Sequence, residues 1–200
     1  MKKKLVASIA AVTLSLGLVL GGTLAWFTGE AKTDATFKAG TVKIGILKGE
    51  EDVNNKTLEL IKNWNPGDSN DFDYLVPNLG TKRAYVRVEL SGMQWLDTQL
   101  ANSNVTITPD ANWIKSTHDD GNGVSRTFYY YKNIVNPETA ANLKLNVRLD
   151  GASTGNEYQG KTFTVKVKAD AIQASNGAIK SAWNIPDPVL NQLEAFTPAP

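Results

Sequence analysis

The chain has 200 residues, 42% of them hydrophobic, no cysteine, and a formal charge of only +1. That balance excludes a nucleic-acid or anionic-membrane binder that works by charge, and the missing thiols exclude a disulfide framework, a cysteine nucleophile and thiolate metal ligands. The apolar content is enough for one folded domain with a core of its own.

The first element is a leader. Lys2, Lys3 and Lys4 form a positive start, and Leu5 to Leu20 is an apolar run relieved only by Ser8, Thr13, Ser15 and Gly17. Thr23-Leu24-Ala25 then places small residues where a signal peptidase reads them. Cleavage is expected between Ala25 and Trp26, so that residues 1–25 form a signal peptide. A retained anchor would need roughly 20 strongly apolar residues, more than this run offers. The three lysines leave with the leader, taking the formal charge of the remaining chain from +1 to −2. Residues 26–40 come next. Within them Ala31, Thr33, Ala35 and Phe37 alternate with Lys32, Asp34, Thr36 and Lys38, the period of a strand with two unlike faces.

Residues 41–185 read as one β domain. Strands are expected at residues 41–47, 71–76, 84–90, 104–108 and 124–131, and two are clearer still. Leu143, Leu145, Val147 and Leu149 alternate with Lys144, Asn146, Arg148 and Asp150, and Phe163, Val165, Val167, Ala169 and Ala171 alternate with Thr162, Thr164, Lys166, Lys168 and Asp170. Turns are marked by Asn65-Pro66-Gly67-Asp68, Asp119-Asp120-Gly121-Asn122-Gly123, Asn136-Pro137 and Asp150-Gly151. Helical pattern is scarce. Residues 56–62 form one short candidate, and Asp187 as N-cap with Pro188 at the first helical position starts another. Residues 186–200 carry four prolines and read as a tail without a sorting motif or hydrophobic stop, so the product is expected to be released. The fold class is all-β, an antiparallel sandwich of seven or eight strands with few short helices, immunoglobulin-like or jelly-roll.

Catalytic chemistry is poorly supplied. A catalytic zinc takes three protein ligands, mostly histidine, and this chain has one histidine, His118, with no H-E-x-x-H. His118 lies next to Asp119 and Asp120 in a glycine-rich turn that reads as a hairpin tip, and is expected to be an exposed loop residue. A serine triad would have to recruit that same histidine, and no G-x-S-x-G occurs. No catalytic residue, metal ligand or cofactor is assigned. Asp68, Asp71 and Asp73, and separately Asp119, Asp120 and Asn122, could offer oxygens to calcium, but solvated turns are the ordinary reading of both. Phe128-Tyr129-Tyr130-Tyr131, with Trp64, Trp95, Trp113 and Trp183, raises the alternative of a sugar-binding surface module against that of core and cross-strand packing.

Two stretches carry a resemblance. Gly21-Gly22-Thr23-Leu24-Ala25-Trp26-Phe27 followed by Asp34-Ala35-Thr36-Phe37-Lys38-Ala39-Gly40-Thr41-Val42 is similar to the start of the TasA/camelysin family of exported Gram-positive proteins, whose SipW-type signal peptides have a dedicated signal peptidase. Tyr158-Gln159-Gly160-Lys161-Thr162-Phe163 and Ala169-Asp170-Ala171-Ile172-Gln173-Ala174 resemble the family's last core strand, and Pro66-Gly67-Asp68 and Asn78-Leu79-Gly80 also fit. The resemblance favours the jelly roll. It implies a secreted subunit of extracellular or biofilm-matrix fibres, with residues 26–38 donated as a strand to the next subunit through Ala31, Thr33, Ala35 and Phe37. The partners so implied are further copies of the chain, head to tail, the signal peptidase and other matrix components, with no nucleic acid and no membrane after cleavage. The metallopeptidase label carried by camelysin-type relatives is the competing reading.

Overall fold

The computed structural model describes residues 41–97 and 99–198, so the Ala25/Trp26 junction and the alternating positions Ala31, Thr33, Ala35 and Phe37 lie outside the described residues. Within the described residues ten strands follow one another: β1 (Leu47–Lys48), β2 (Glu51–Asp52), β3 (Thr57–Lys62), β4 (Ser69–Pro77), β5 (Ala84–Trp95), β6 (Val105–Pro109), β7 (Trp113–Asp119), β8 (Ser125–Tyr131), β9 (Ala140–Leu149) and β10 (Thr162–Gln173). Two short helices close the chain, α1 (Ala178–Trp183) and α2 (Asp187–Leu190). The strands form two antiparallel sheets, in the orders β2-β1-β4-β9-β6 and β3-β10-β5-β8-β7. Only the β1–β2 and β7–β8 connections stay within a sheet; every other one passes across to the opposite sheet, as in a jelly roll. The all-β sandwich expected from the sequence is the observed fold.

The period-two pattern explains why the layers meet where they do. On β9, Ala141, Leu143, Leu145, Val147 and Leu149 are all buried while the residues between them are exposed. On β10, Phe163, Val165, Val167, Ala169 and Ala171 are buried in the same core. Burial of each large aliphatic side chain there contributes about 1.5–3 kcal/mol. Trp95 closes one end of the sandwich, edge-on to Tyr158 at 5.1 Å and to Phe163 at 5.3 Å.

Several local expectations give way to tertiary pairing. Residues 56–62, expected as a helix, form β3, which adds to β10 with Ile61 opposite Phe163 and Leu58 opposite Val165. Asn55 and Asn63 flank it with φ of 61° and 58°, the left-handed region, so the chain turns sharply at each end and no helix can continue through. Residues 41–47, expected as a strand, make only an isolated bridge from Ile44 to Asn78 before β1 begins at Leu47. β7 and α1 were not expected. Pro186 takes the N-cap position of α2, one residue earlier than the sequence suggests.

A second cluster lies on the outer face of β8. Phe128 and Tyr130 point away from the sandwich core and are buried by α1, α2 and the residues after them, together with Trp183, Ile185 and Val189. Residues 186–198 lie on the domain: Tyr85 donates its hydroxyl to the Glu194 carbonyl at 2.7 Å, and the Arg83 guanidinium sits 4.5 Å from the Phe196 ring centre.

Candidate functional site

The place where the N-terminal segment joins the domain is built from a short run of backbone contacts. Residues 41–47 run antiparallel to the end of β4 and the loop after it. The Leu79 amide donates to the Lys43 carbonyl at 2.8 Å, the Thr81 amide to the Thr41 carbonyl at 2.9 Å, and the Gly45 amide to the Pro77 carbonyl at 3.3 Å. Asn78 fixes this loop from inside. It is 1% exposed; its amide group donates to the Lys82 and Val135 carbonyls at 2.8 and 2.9 Å, and its side-chain oxygen accepts from the Gly80 amide at 3.0 Å. Gly80 is required by the close approach, since a Cβ there would lie 2.3 Å from the Thr41 carbonyl oxygen. The Asn78-Leu79-Gly80 run is therefore the clamp that holds the base of the N-terminal segment.

Among the described residues β4 is only half covered. Along one side it pairs with β9 over its whole length, from Ser69 opposite Arg148 to Pro77 opposite Ala140. Along the other side β1 meets it at Leu75 alone, and the chain then turns away at Gly49. The alternate residues facing that side, Asp71 and Asp73, have no strand opposite them among the described residues. An unpaired stretch of strand is a template for another chain. The inward residue between them, Phe72, is half-buried against the core, so this edge keeps apolar surface within reach. Lys48 lies 5.7 Å from the Phe72 ring centre, and Lys144 approaches Asp73 at 3.8 Å, charges that blunt the edge against casual pairing.

His118, expected in an exposed loop, is a half-buried residue of β7. Its Nδ1 lies 3.1 Å from the Ser116 hydroxyl and its Nε2 3.1 Å from the Tyr130 hydroxyl, with its ring stacked at 5.9 Å on Tyr130. Burial lowers its pKa, and the nearby Arg87 guanidinium lowers it further, so the neutral ring is favoured. The neighbouring acids are also engaged. One Asp119 oxygen accepts the amides of Gly121, Asn122 and Gly123, each at 2.9 Å, and Asp120 pairs with Arg87 at 3.7 Å. Both histidine nitrogens and both carboxylates thus have work within the fold, and no group of three His, Asp or Glu among the described residues is placed to hold a metal ion. These residues do not fit a zinc centre. Asp68 likewise accepts the Asn65 amide at 2.8 Å, and Asp71 accepts from Asn146 at 2.7 Å, so the first acidic cluster is spent on turn and cross-strand bonds.

The aromatic residues do not make a platform. Trp95, Trp113, Trp183, Phe128, Tyr129 and Tyr130 are all buried, and Trp64 and Tyr131 are half-buried against the core. In the period-two strand β8 the tyrosine that faces away from the sandwich core is Tyr130, and the C-terminal helices cover it.

One buried group was missed in the sequence, although a lone arginine inside Ala84-Tyr85-Val86-Arg87-Val88-Glu89-Leu90 was the signal. Arg87 is 6% exposed, with Nε 3.5 Å from Asp170 and a terminal nitrogen 3.7 Å from Asp120. Its guanidinium lies between the rings of Phe128 at 4.1 Å and Trp183 at 4.6 Å. It ties α1 to the outer face of the second sheet.

Comparison with known proteins places the chain. A family model described as camelysin metallo-endopeptidase matches residues 1–106, just over half of the sequence. The protein belongs to the camelysin family. The matched part of this camelysin-family chain runs from residue 1 through β5 into β6, and so includes the Asn78 clamp and the open half of β4. A curated relative, the "Major biofilm matrix component" of Bacillus subtilis (strain 168), is 37% identical over 81 residues, which cover 40% of this chain and 29% of the relative. Among the described residues no helix is long and apolar enough to cross a membrane.

Proposed function

We propose that this camelysin-family protein is an exported, non-enzymatic subunit of extracellular or biofilm-matrix fibres, in which residues 26–38 of one copy add as a strand to the open half of β4 in the next. The observation that carries the reading is that open half: a strand edge from Ser69 to Tyr74, without a partner on that side among the described residues, that carries the half-buried Phe72. The biofilm relative supports it by name, and the alternation of Ala31, Thr33, Ala35 and Phe37 supplies a face for the seam. Residues 26–40 in extended form reach up to about 50 Å, enough to leave one domain and lie along another. Backbone hydrogen bonds would give the affinity and the alternate side chains the register. Donation to a neighbour does not close, so it makes filaments.

The test is deletion of residues 26–38 from the mature protein. The shortened monomer should melt within a few degrees of the full one, and filaments should vanish from electron micrographs of concentrated samples. A shortened protein that still makes normal fibres would rule the mechanism out, and one that no longer folds would return the segment to the monomer's own sheet. Sequencing the N-terminus of fibre subunits checks the other half of the reading, with Trp26 as the expected first residue.

The family's peptidase name favours a second reading, which makes a different prediction. A zinc peptidase should carry one tightly held zinc per chain and lose its activity on His118→Ala. The geometry of His118 leads to the opposite expectation: metal analysis should find no stoichiometric zinc, and casein digestion by the purified protein should stay at background.

A further inference from the structure

The sandwich has two unlike ends. At the near pole, where Thr41 enters, Leu79 is 56% exposed, and its backbone amide is pinned to Lys43 at 2.8 Å. At the far pole Leu96 is 61% exposed, and its amide is pinned to Thr162 at 2.9 Å. These are the two most exposed large apolar side chains among the described residues, and both are held still by the backbone beneath them. Their surroundings differ in charge. Lys43 and Lys82 flank Leu79, both exposed. The far pole, in the loops that join β3 to β4 and β9 to β10, carries exposed Asp68 and Glu157; of its cations Lys62 and Lys161 are already paired with Glu59 at 3.3 Å and Asp97 at 2.9 Å, which leaves the exposed Arg148. Exposed Glu138, whose amide donates to the Asn78 carbonyl at 3.1 Å, is the acid at the near pole. Each pole is thus a fixed leucine in surroundings where one sign outnumbers the other, and the prevailing signs are opposite.

We infer that the near pole of one copy seats on the far pole of the next, Leu79 against Leu96 and Lys43 and Lys82 against Glu157 and Asp68. The occupant of each patch is a second copy of this chain, and the contact rests on the fibre reading above. Unlike patches at opposite ends make a heterologous contact that repeats without closing. The strand geometry agrees with it. The open half of β4 begins at Ser69, opposite Arg148 at the far-pole end of β9. A segment leaving the near pole of a seated copy arrives there and runs antiparallel to β4, the same direction as residues 41–47. Opposed charges steer the two ends together and disfavour like poles.

The chain has no cysteine, which gives a clean test. The double variant Leu79→Cys/Leu96→Cys, treated with a short bis-maleimide in the full mature protein, should give a ladder of covalent multimers on a denaturing gel. Leu79→Cys or Leu96→Cys alone should give no more than a trace of dimer. Filaments without a ladder would overturn the pole contact and leave the fibre reading standing; neither filaments nor a ladder would overturn both. Single variants that crosslink as strongly as the double would show like poles meeting, and would also overturn it. In a second arm Lys43→Glu/Lys82→Glu should raise the concentration needed for assembly at least about tenfold, and Glu157→Lys added to it should restore much of the loss. An unmoved threshold would sink the proposal.

Discussion

Val165→Asp is expected to abolish folding, whereas Lys166→Asp, one residue on, is expected to leave it nearly untouched. Val165 is completely buried near the middle of β10, with β3 on one side and β5 on the other. An aspartate there has no cation among the core residues to pair with. An unpaired charge in such a place costs several kcal/mol or forces the group to stay protonated. Lost packing adds to that, and the stability of an ordinary domain is only about 5–15 kcal/mol in total. Lys166 points outward between Thr57 and Ser91 on the neighbouring strands, and exposed changes of this kind usually stay within about 0.5 kcal/mol. Circular dichroism during urea titration separates the outcomes. Equal loss in both variants would mean that the two residues do not face opposite sides of β10.

Arg87 gives the second large effect. Replacing it with alanine removes the cation that lies between Asp120 and Asp170, whose side chains are 8% and 19% exposed. It also empties the space between Phe128 and Trp183. Breaking one partner of a buried ion pair typically costs about 3–5 kcal/mol, because the remaining charge is stranded. Arg87→Met keeps most of the volume but strands Asp120 and leaves Asp170 with Lys168 at 3.1 Å as its one partner among the described residues, so it should also destabilise. Arg87→Met/Asp120→Asn/Asp170→Asn leaves no charge stranded at Asp120 or Asp170 and should recover much of the loss. Thermal melting followed by tryptophan fluorescence reads both global stability and the detachment of Trp183. If Arg87→Met melts like the parent protein, the cluster does not hold the C-terminal helices.

These two residues also mark how far local pattern reaches. Val165 was legible because strict alternation over ten residues has one physical solution, a strand with one face in a core. The fold class followed from that alternation on β9 and β10, together with turns that have chemical reasons, such as Gly67 at φ 95° beside an Asp68 that closes back on Asn65. Arg87 stood out in the sequence only as an oddity. Its partners come from residue 120 and residue 170, and nothing local could have brought them together.

The same division runs through the whole chain. By itself the sequence determined the absence of thiol chemistry, the shortage of histidine and the inward faces of the longest strands, because each depends on composition or on a short repeating period. Lys56-Thr57-Leu58-Glu59-Leu60-Ile61-Lys62 could satisfy helix and strand alike. Its state was decided by the edge of β10 that it completes and by the left-handed turns at Asn55 and Asn63. The burial of Tyr130, the engagement of His118 and the covering of the second sheet by the C-terminal residues were decided by packing between segments far apart in the chain. The open half of β4 is of the same kind: among the described residues it arises because β1 turns away after Lys48. An unpaired edge is a relation between strands, and only the tertiary structure contains it.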